Sequence, residues 1–272
     1  MTLNLDNKGL RSIVSKFDLF FIDIWGVIHN GIDLYKDSLE VLDKLDEIKK
    51  EYILLTNAPR PNLKVQKFLM KMGLDENKCK KVFTSGEASL NHLDSKWKNY
   101  KFYHIGPPRD FDLFKLFKKN RVEKIENADF LLCTGLFDEH AENLEYYKNL
   151  FEINTNIRMI CTNPDLIVDR GEKREFCAGS VAKIFENLGG KVDYFGKPYP
   201  LVYNQSTNTR NKKVLCIGDN LNTDIKGANV QNFDALLITG GIHRNEISDK
   251  KIENLIKSYN VKINYIQTEL KW

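Results

Sequence analysis

The sequence predicts an α/β fold built on a parallel sheet. Two observations predict it. Short apolar runs of strand type alternate with segments whose apolar residues recur at helical spacing. Several of the apolar runs also stop abruptly at polar residues: Phe20–Ile22 at Asp23, Tyr52–Leu55 at Thr56 and Asn57, Val214–Ile217 at Asp219. Ligands of open parallel sheets bind beyond the carboxyl ends of the strands, so polar residues there are site candidates.

Composition sets the outer bounds. The 272 residues suffice for one large domain or two modest ones, and 42% apolar residues can bury a core. With 41 basic and 37 acidic residues the net charge is +4, which leaves no electrostatic footprint for nucleic acid and no demand for an acidic membrane. Five cysteines without a CxxC pair suggest a reducing compartment, so a cytoplasmic location is expected. No signal-peptide core opens the chain and no window approaches the roughly 18 apolar residues of a membrane span, so neither export nor membrane insertion is expected.

In chain order, Leu10–Lys16 reads as a short helix leading into the first strand, and Asp37–Lys50 as an amphipathic helix capped by Ser38. Tyr52–Leu55 is a strand whose continuation Pro59 and Pro61 forbid. Asn62–Met72 is a helix closed near Gly73, Lys81–Phe83 a strand, and Ser85–Leu93 a helix opened by a serine cap. From about Lys98 the rhythm restarts: KFYHIG is a strand, Asp110–Lys119 a helix, DFLLCTG a strand, Glu142–Phe151 a helix and RMICTNPD a strand, with Asn163 and Asp165 at its end. Gly179–Leu188 is a helix, followed by VDYFGKPYP with Lys197 between Gly196 and Pro198, by KKVLCIGDNLNTDIKGA with Asp219 and Asp224, and by ALLITGG as a last strand.

Taken singly, each polar strand tip is ordinary turn chemistry, an Asx turn or a helix N-cap. Together and in this order, Asp23, then Thr56 and Asn57, then Lys197, then Asp219 with Asp224 resemble the four motifs of the haloacid dehalogenase superfamily of hydrolases; GDNLNTDIKGA is the most specific piece and GKPYP the next. A middle block with TNPD and a GS-led helix before GKP resembles the class IIA subgroup, whose familiar members are sugar phosphatases and nitrophenyl phosphatases. The resemblance implies a Rossmann-like three-layer core from residues 1–97 and 193–272, with an α/β cap inserted at residues 98–192.

It further implies Mg²⁺ held by Asp23, the backbone carbonyl of Trp25 and Asp219, with Asp224 nearby; phosphate held by Lys197, the Thr56 hydroxyl and the Asn57 backbone N–H; and Asp23 as the nucleophile of an aspartyl-phosphate mechanism on a small phosphorylated metabolite. The charge logic agrees with it, because three carboxylates brought together repel one another unless a cation neutralises them. Asn163, Asp165 and Arg170 are the substrate contacts implied in the cap, and members with this cap often dimerise through it, which points to a homodimer.

Trp25 departs from the pattern, since phosphatases of this superfamily carry a second aspartate two residues after the nucleophile. That aspartate protonates the leaving alcohol and later activates water, whereas an indole N–H donates a hydrogen bond but exchanges no proton. Losing such a group typically costs about 10²–10⁴ in rate. Three outcomes stay open: turnover of a leaving group that needs no proton, such as an acyl phosphate, or with His29 as replacement acid; a silent protein that binds phosphoryl ligands; and a dehalogenase-like hydrolase.

Overall fold

The computed structural model describes residues 2–170, 173–249 and 252–272. Its strands are β1 (Leu3–Asn4), β2 (Leu19–Ile22), β3 (Glu51–Thr56), β4 (Val82–Thr84), β5 (Phe102–Ile105), β6 (Arg121–Val122), β7 (Phe130–Cys133), β8 (Arg158–Cys161), β9 (Ile167–Arg170), β10 (Lys173–Phe176), β11 (Lys191–Tyr194), β12 (Val214–Gly218), β13 (Asp234–Ile238) and β14 (Tyr265–Gln267). Seven form one parallel sheet in the order β1, β14, β13, β12, β2, β3, β4. Five form a second parallel sheet, β11, β8, β7, β5, β6, and β9 pairs antiparallel with β10.

Side chains alternate across a strand, so each central strand feeds two apolar layers. Phe20 and Ile22 join Leu54, Leu215 and Ile217 under the helices Lys36–Glu47 and Asn62–Met72. Leu19, Phe21, Leu55 and Cys216 face the other way, and their cluster continues without a break into Phe102, Phe114, Phe130 and Ile160 of the second sheet. Each fully buried phenylalanine contributes about 1.5–3 kcal/mol by leaving water, so this shared cluster ties the two sheets firmly together. The far face of the second sheet packs Leu131, Met159 and Cys161 against Tyr147, Phe151 and Phe185.

From β2 the chain moves outward through β3 and β4, builds the second sheet, and returns to β12 on the opposite flank of β2. The strand order therefore reverses between β2 and β12, which opens a crevice at their carboxyl ends.

Several expected elements differ in detail. Leu10–Lys16 forms two short 3₁₀ turns, Leu10–Ser12 and Val14–Lys16. Asp110–Lys119 lies in a 3₁₀ stretch, Pro108–Asn120, broken at Phe114 and Phe117, whose rings turn in to pack edge-on against Phe102. Ser38 does not cap its helix; it is buried, and its hydroxyl donates to the Val27 carbonyl at 2.6 Å. Thr84 rather than Ser85 opens the next helix, accepting from the Glu87 N–H at 2.9 Å. ALLITGG, expected as the last buried strand, forms β13, and a short, partly buried β14 follows it and pairs with both β13 and β1. Among the described residues no helix is long and apolar enough to cross a membrane.

Candidate active site

Three neighbouring strands deliver the site. The Asp23 N–H still bonds to the Ile217 carbonyl at 2.8 Å, so the backbone stays registered with β12 while the carboxyl group passes the sheet edge. Asp219 follows β12 directly. A single wide helical turn, Leu221–Ile225, is capped by the Asn220 side chain, and it brings Asp224 back until its Oδ2 accepts the Asn220 N–H at 3.1 Å. One carboxylate oxygen from each of Asp23, Asp219 and Asp224 lies within 4.8 Å of the others, and all three residues are buried. Space around Asp219 is tight: a Cβ on Gly26, which holds φ +82°, would stand 2.1 Å from its Oδ2, and one on Gly241 would stand 2.2 Å away. The short turns therefore require glycine at both places.

Lys197 stands among these acids. Its ammonium donates to Asp23 Oδ1 at 2.5 Å, to Asp224 Oδ1 at 2.6 Å and to the Leu55 carbonyl at 2.9 Å, which uses all three of its hydrogens. Asn57 holds the lysine's own backbone at both ends, accepting the Lys197 N–H at 2.7 Å and donating to the Lys197 carbonyl at 3.0 Å. The Asn57 side chain thus positions the lysine. Thr56 Oγ1, beside it at the tip of β3, accepts the Ala58 N–H at 3.2 Å.

Electrostatics follow from burial. Asp23 is raised above the usual carboxylate range by loss of solvent, a shift that Lys197 opposes and Asp224 reinforces. Asp219 is raised further, by burial and then by the charges of Asp23 and Asp224. Burial would lower Lys197, but Asp224 and Asp23 outweigh it and keep the lysine charged. Three acids and one cation leave the cluster short of positive charge. An all-oxygen donor set of this kind fits a hard divalent ion such as Mg²⁺.

Trp25 leaves the core and crosses to the hairpin. Its indole N–H donates to the Asp169 carbonyl of β9 at 2.5 Å, and the Arg170 guanidinium lies 5.0 Å from the ring centre. The Asp169 carboxylate takes two arms: Arg174 at 2.8 and 3.2 Å, and Arg244, from the segment after β13, at 2.7 Å. Trp25, Asp169 and Arg244 therefore fasten the hairpin over the strand tips.

The other residues expected from the sequence take different places. Asp165 meets the core site, where its carboxylate accepts from Asn57 at 3.2 Å and from the Thr223 hydroxyl; burial raises it to about 6. Asn163 shapes that loop by accepting the Asp165 N–H at 2.9 Å. Arg170 lies over Trp25 and pairs with Glu175 at 3.3 Å, outside the carboxylate cluster. His29 is not arranged as the expected acid. It is buried against Trp25 and Phe68, its Nδ1 accepts the Gly31 N–H at 2.8 Å, and burial together with Arg170 lowers it to about 4, so it is neutral near pH 7.

Two cavities meet here. One, of about 390 Å³, is lined by Asp23, Lys197, Asp219 and Asp224. The second, of about 410 Å³, lies between the two sheets, and Trp25, Thr56, Asn57, Asp165 and Val168 border both. Sequence reading missed Thr223, Asp169, Arg244 and the Ile242 N–H, which donates to Asp219 at 2.8 Å. The glycine pair ending ALLITGG was the available signal for that last loop.

Comparison with known proteins agrees with this architecture. Residues 20–117 match the haloacid dehalogenase-like hydrolase family, and residues 194–260 match the HAD-hydrolase-like family. A crystal structure of a haloacid dehalogenase-like hydrolase from Brucella suis is 29% identical, covers 96% of this chain and 98% of its own, and superposes with a TM-score of 0.81. The 4-nitrophenylphosphatase of Thermotoga maritima is 25% identical over 95% of this chain and 96% of its own, with a TM-score of 0.70. The 4-nitrophenylphosphatase of Schizosaccharomyces pombe is 25% identical, covering 93% of this chain and 94% of that one. The chain therefore carries haloacid dehalogenase-like hydrolase domains over these two segments, which contain the strand tips, the buried lysine and the acid cluster.

Proposed function

We propose that this enzyme removes phosphate from a small phosphorylated metabolite through an aspartyl-phosphate on Asp23. The observation that carries the reading is the convergence of Asp23, Asp219 and Asp224 within 4.8 Å around a lysine bonded to two of them. Names of relatives such as 4-nitrophenylphosphatase point the same way.

Each side chain has a part in the reaction. Lys197 holds Asp23 Oδ1, orienting the carboxylate toward phosphorus, and supplies a fixed positive charge for the equatorial oxygens. Thr56 and Asn57 line the same cavity, where the Thr56 hydroxyl and the Asn57 backbone N–H would complete the phosphate cradle. Mg²⁺, held by Asp23, the Trp25 carbonyl and Asp219, would draw charge from the phosphate oxygens. Asp224 belongs outside that shell, since its Oδ1 is taken by Lys197 and its Oδ2 by the Asn220 N–H. Residues 98–192 act as the cap, with the β9 and β10 hairpin excluding water from the reaction. Displacement of halide as dehalogenases perform it, without a metal ion, is disfavoured, because three carboxylates lacking a divalent cation would repel an anionic carboxylate substrate.

Orthophosphate release from a panel of phosphorylated metabolites, with Mg²⁺ and after chelation, tests the reading. Release that stops in chelator and returns with Mg²⁺ supports it. Binding without release from any compound would instead favour a silent phosphoryl-ligand binder.

A further inference from the structure

Resting on that phosphatase reading, we propose that the enzyme selects phosphoryl compounds whose leaving oxygen departs unprotonated as a stabilised anion, carried on an uncharged and largely apolar body. Trp25 sets the first half of this preference. Its only polar hydrogen is committed to the Asp169 carbonyl at 2.5 Å, so this side chain, which borders both cavities, holds the hairpin closed and has no proton to give a leaving oxygen. His29, although its residue also lines the second cavity, is buried edge-on against the indole with Nδ1 already accepting the Gly31 N–H. Asp165, which borders both cavities, has its carboxylate tied to Asn57 and Thr223.

The second cavity sets the other half. With phosphate against Asp23 and Lys197, the leaving group extends past the shared border of Trp25, Asn57 and Val168 into that 410 Å³ space. Among the described residues every cation lining it already has an acid: Arg60 with Asp110 at 3.0 Å, Arg109 with Asp138 at 2.5 Å, Arg170 with Glu175 at 3.3 Å, Lys173 with Glu142 at 3.0 Å, and Lys64 with Asp112 at 2.7 Å. Ile24, Val65, Phe68, Leu136 and Phe176 supply the apolar wall. A charged leaving group entering here would lose water without gaining an unpaired partner.

The chemistry balances without an acid. An Asp23 oxygen attacks phosphorus, the bond from phosphorus to the leaving oxygen breaks, and its electron pair leaves with that oxygen. Water then attacks the phosphorus of the aspartyl-phosphate, the bond to Asp23 breaks to restore the carboxylate, and the water proton ends on the departing phosphate.

The test is kcat/KM for a series of aryl phosphates with phenols of graded acidity, all with Mg²⁺, on the wild type, Trp25→Phe, Trp25→Asp and Asp165→Asn. The wild type is expected to fall by about 10²–10⁴ from 4-nitrophenyl to phenyl phosphate, the range one general acid supplies. Trp25→Phe and Asp165→Asn keep that steep dependence whatever their absolute rates, and Trp25→Asp flattens it. A flat dependence in the wild type overturns the proposal. So does a steeper one in Trp25→Phe or Asp165→Asn, which would identify that side chain as the donor. A carboxylated aryl phosphate of matched acidity should react at least about tenfold more slowly than the uncharged one, and parity overturns the assignment of the cavity. Absence of phosphate release and of any phosphorylated Asp23 with every compound removes the phosphatase reading and this inference with it, whereas turnover with a flat profile removes the inference alone.

Discussion

The two cavities that share Trp25 are built on opposite principles. The first gathers three buried carboxylates around one lysine and is short of positive charge. The second, among the described residues, pairs each lining cation with an acid and presents apolar side chains between the pairs. An incomplete charge set is made to receive ions; a completed one is made to receive a neutral surface. On the proposed function, phosphate recognition and leaving-group recognition are separable, and Trp25 stands on their common wall.

The comparison can be broken most directly at the proposed nucleophile. Asp23→Asn should lower kcat/KM for 4-nitrophenyl phosphate by at least about a thousandfold, as removal of a covalent nucleophile does. It should leave the fold intact or firmer, because a buried acid is neutralised, and a thermal melt beside the assay checks both. Lys197→Met tests the first cavity through stability. It strands Asp23 and Asp224 without their cation, and breaking a buried pair costs about 3–5 kcal/mol, read by urea unfolding. Added Mg²⁺ should recover part of that loss if the acids bind it; no recovery would argue against a metal in the first cavity.

Smaller effects sharpen the second cavity. Trp25→Phe removes the donor to Asp169 and should cost about 1 kcal/mol, seen as faster hydrogen exchange in β9 and β10 with little change in the strands of the main sheet. Uniform exchange across the molecule would mean that Trp25 does not fasten the hairpin. Beneath this cavity, burial and then Arg121 lower His104 to about 3, and its ring is bonded to Thr134 at 2.8 Å. A histidine lowered in the folded state binds its proton more readily when unfolded. Its stabilising effect is full above the ordinary value of 6.5 and is lost as pH falls toward 3. His104→Gln should accordingly flatten the acid limb of the stability profile without moving the alkaline one.

How much of this was legible in the sequence divides along the same line. Asp23, Lys197, Asp219 and Asp224 were legible because each sits next to a strand end or in a Gly-Lys-Pro turn, and a parallel sheet brings such ends together. The alternation of strands and helices predicted that sheet for the same reason. The hairpin was not legible. IVDR and KREF carry no apolar alternation, and what makes them strands is docking onto Trp25, a contact made across 144 residues of chain. β1 and β14 are two and three residues long and exist through pairing at the sheet edge, which no local pattern announces. The break at Phe114 and Phe117 likewise comes from packing against Phe102, after the helical spacing had been satisfied. Local chemistry thus announced the cavity of the three carboxylates and the lysine, and long-range packing made its neighbour.

The central claim, chemistry at Asp23 in the first cavity, is tested most directly by quenching the Mg²⁺-loaded enzyme during turnover of 4-nitrophenyl phosphate and locating phosphate by peptide mass spectrometry. The account predicts transient phosphate on Asp23 that is absent from Asp23→Asn. Undiminished turnover by Asp23→Asn, or turnover with phosphate on another residue, would contradict it.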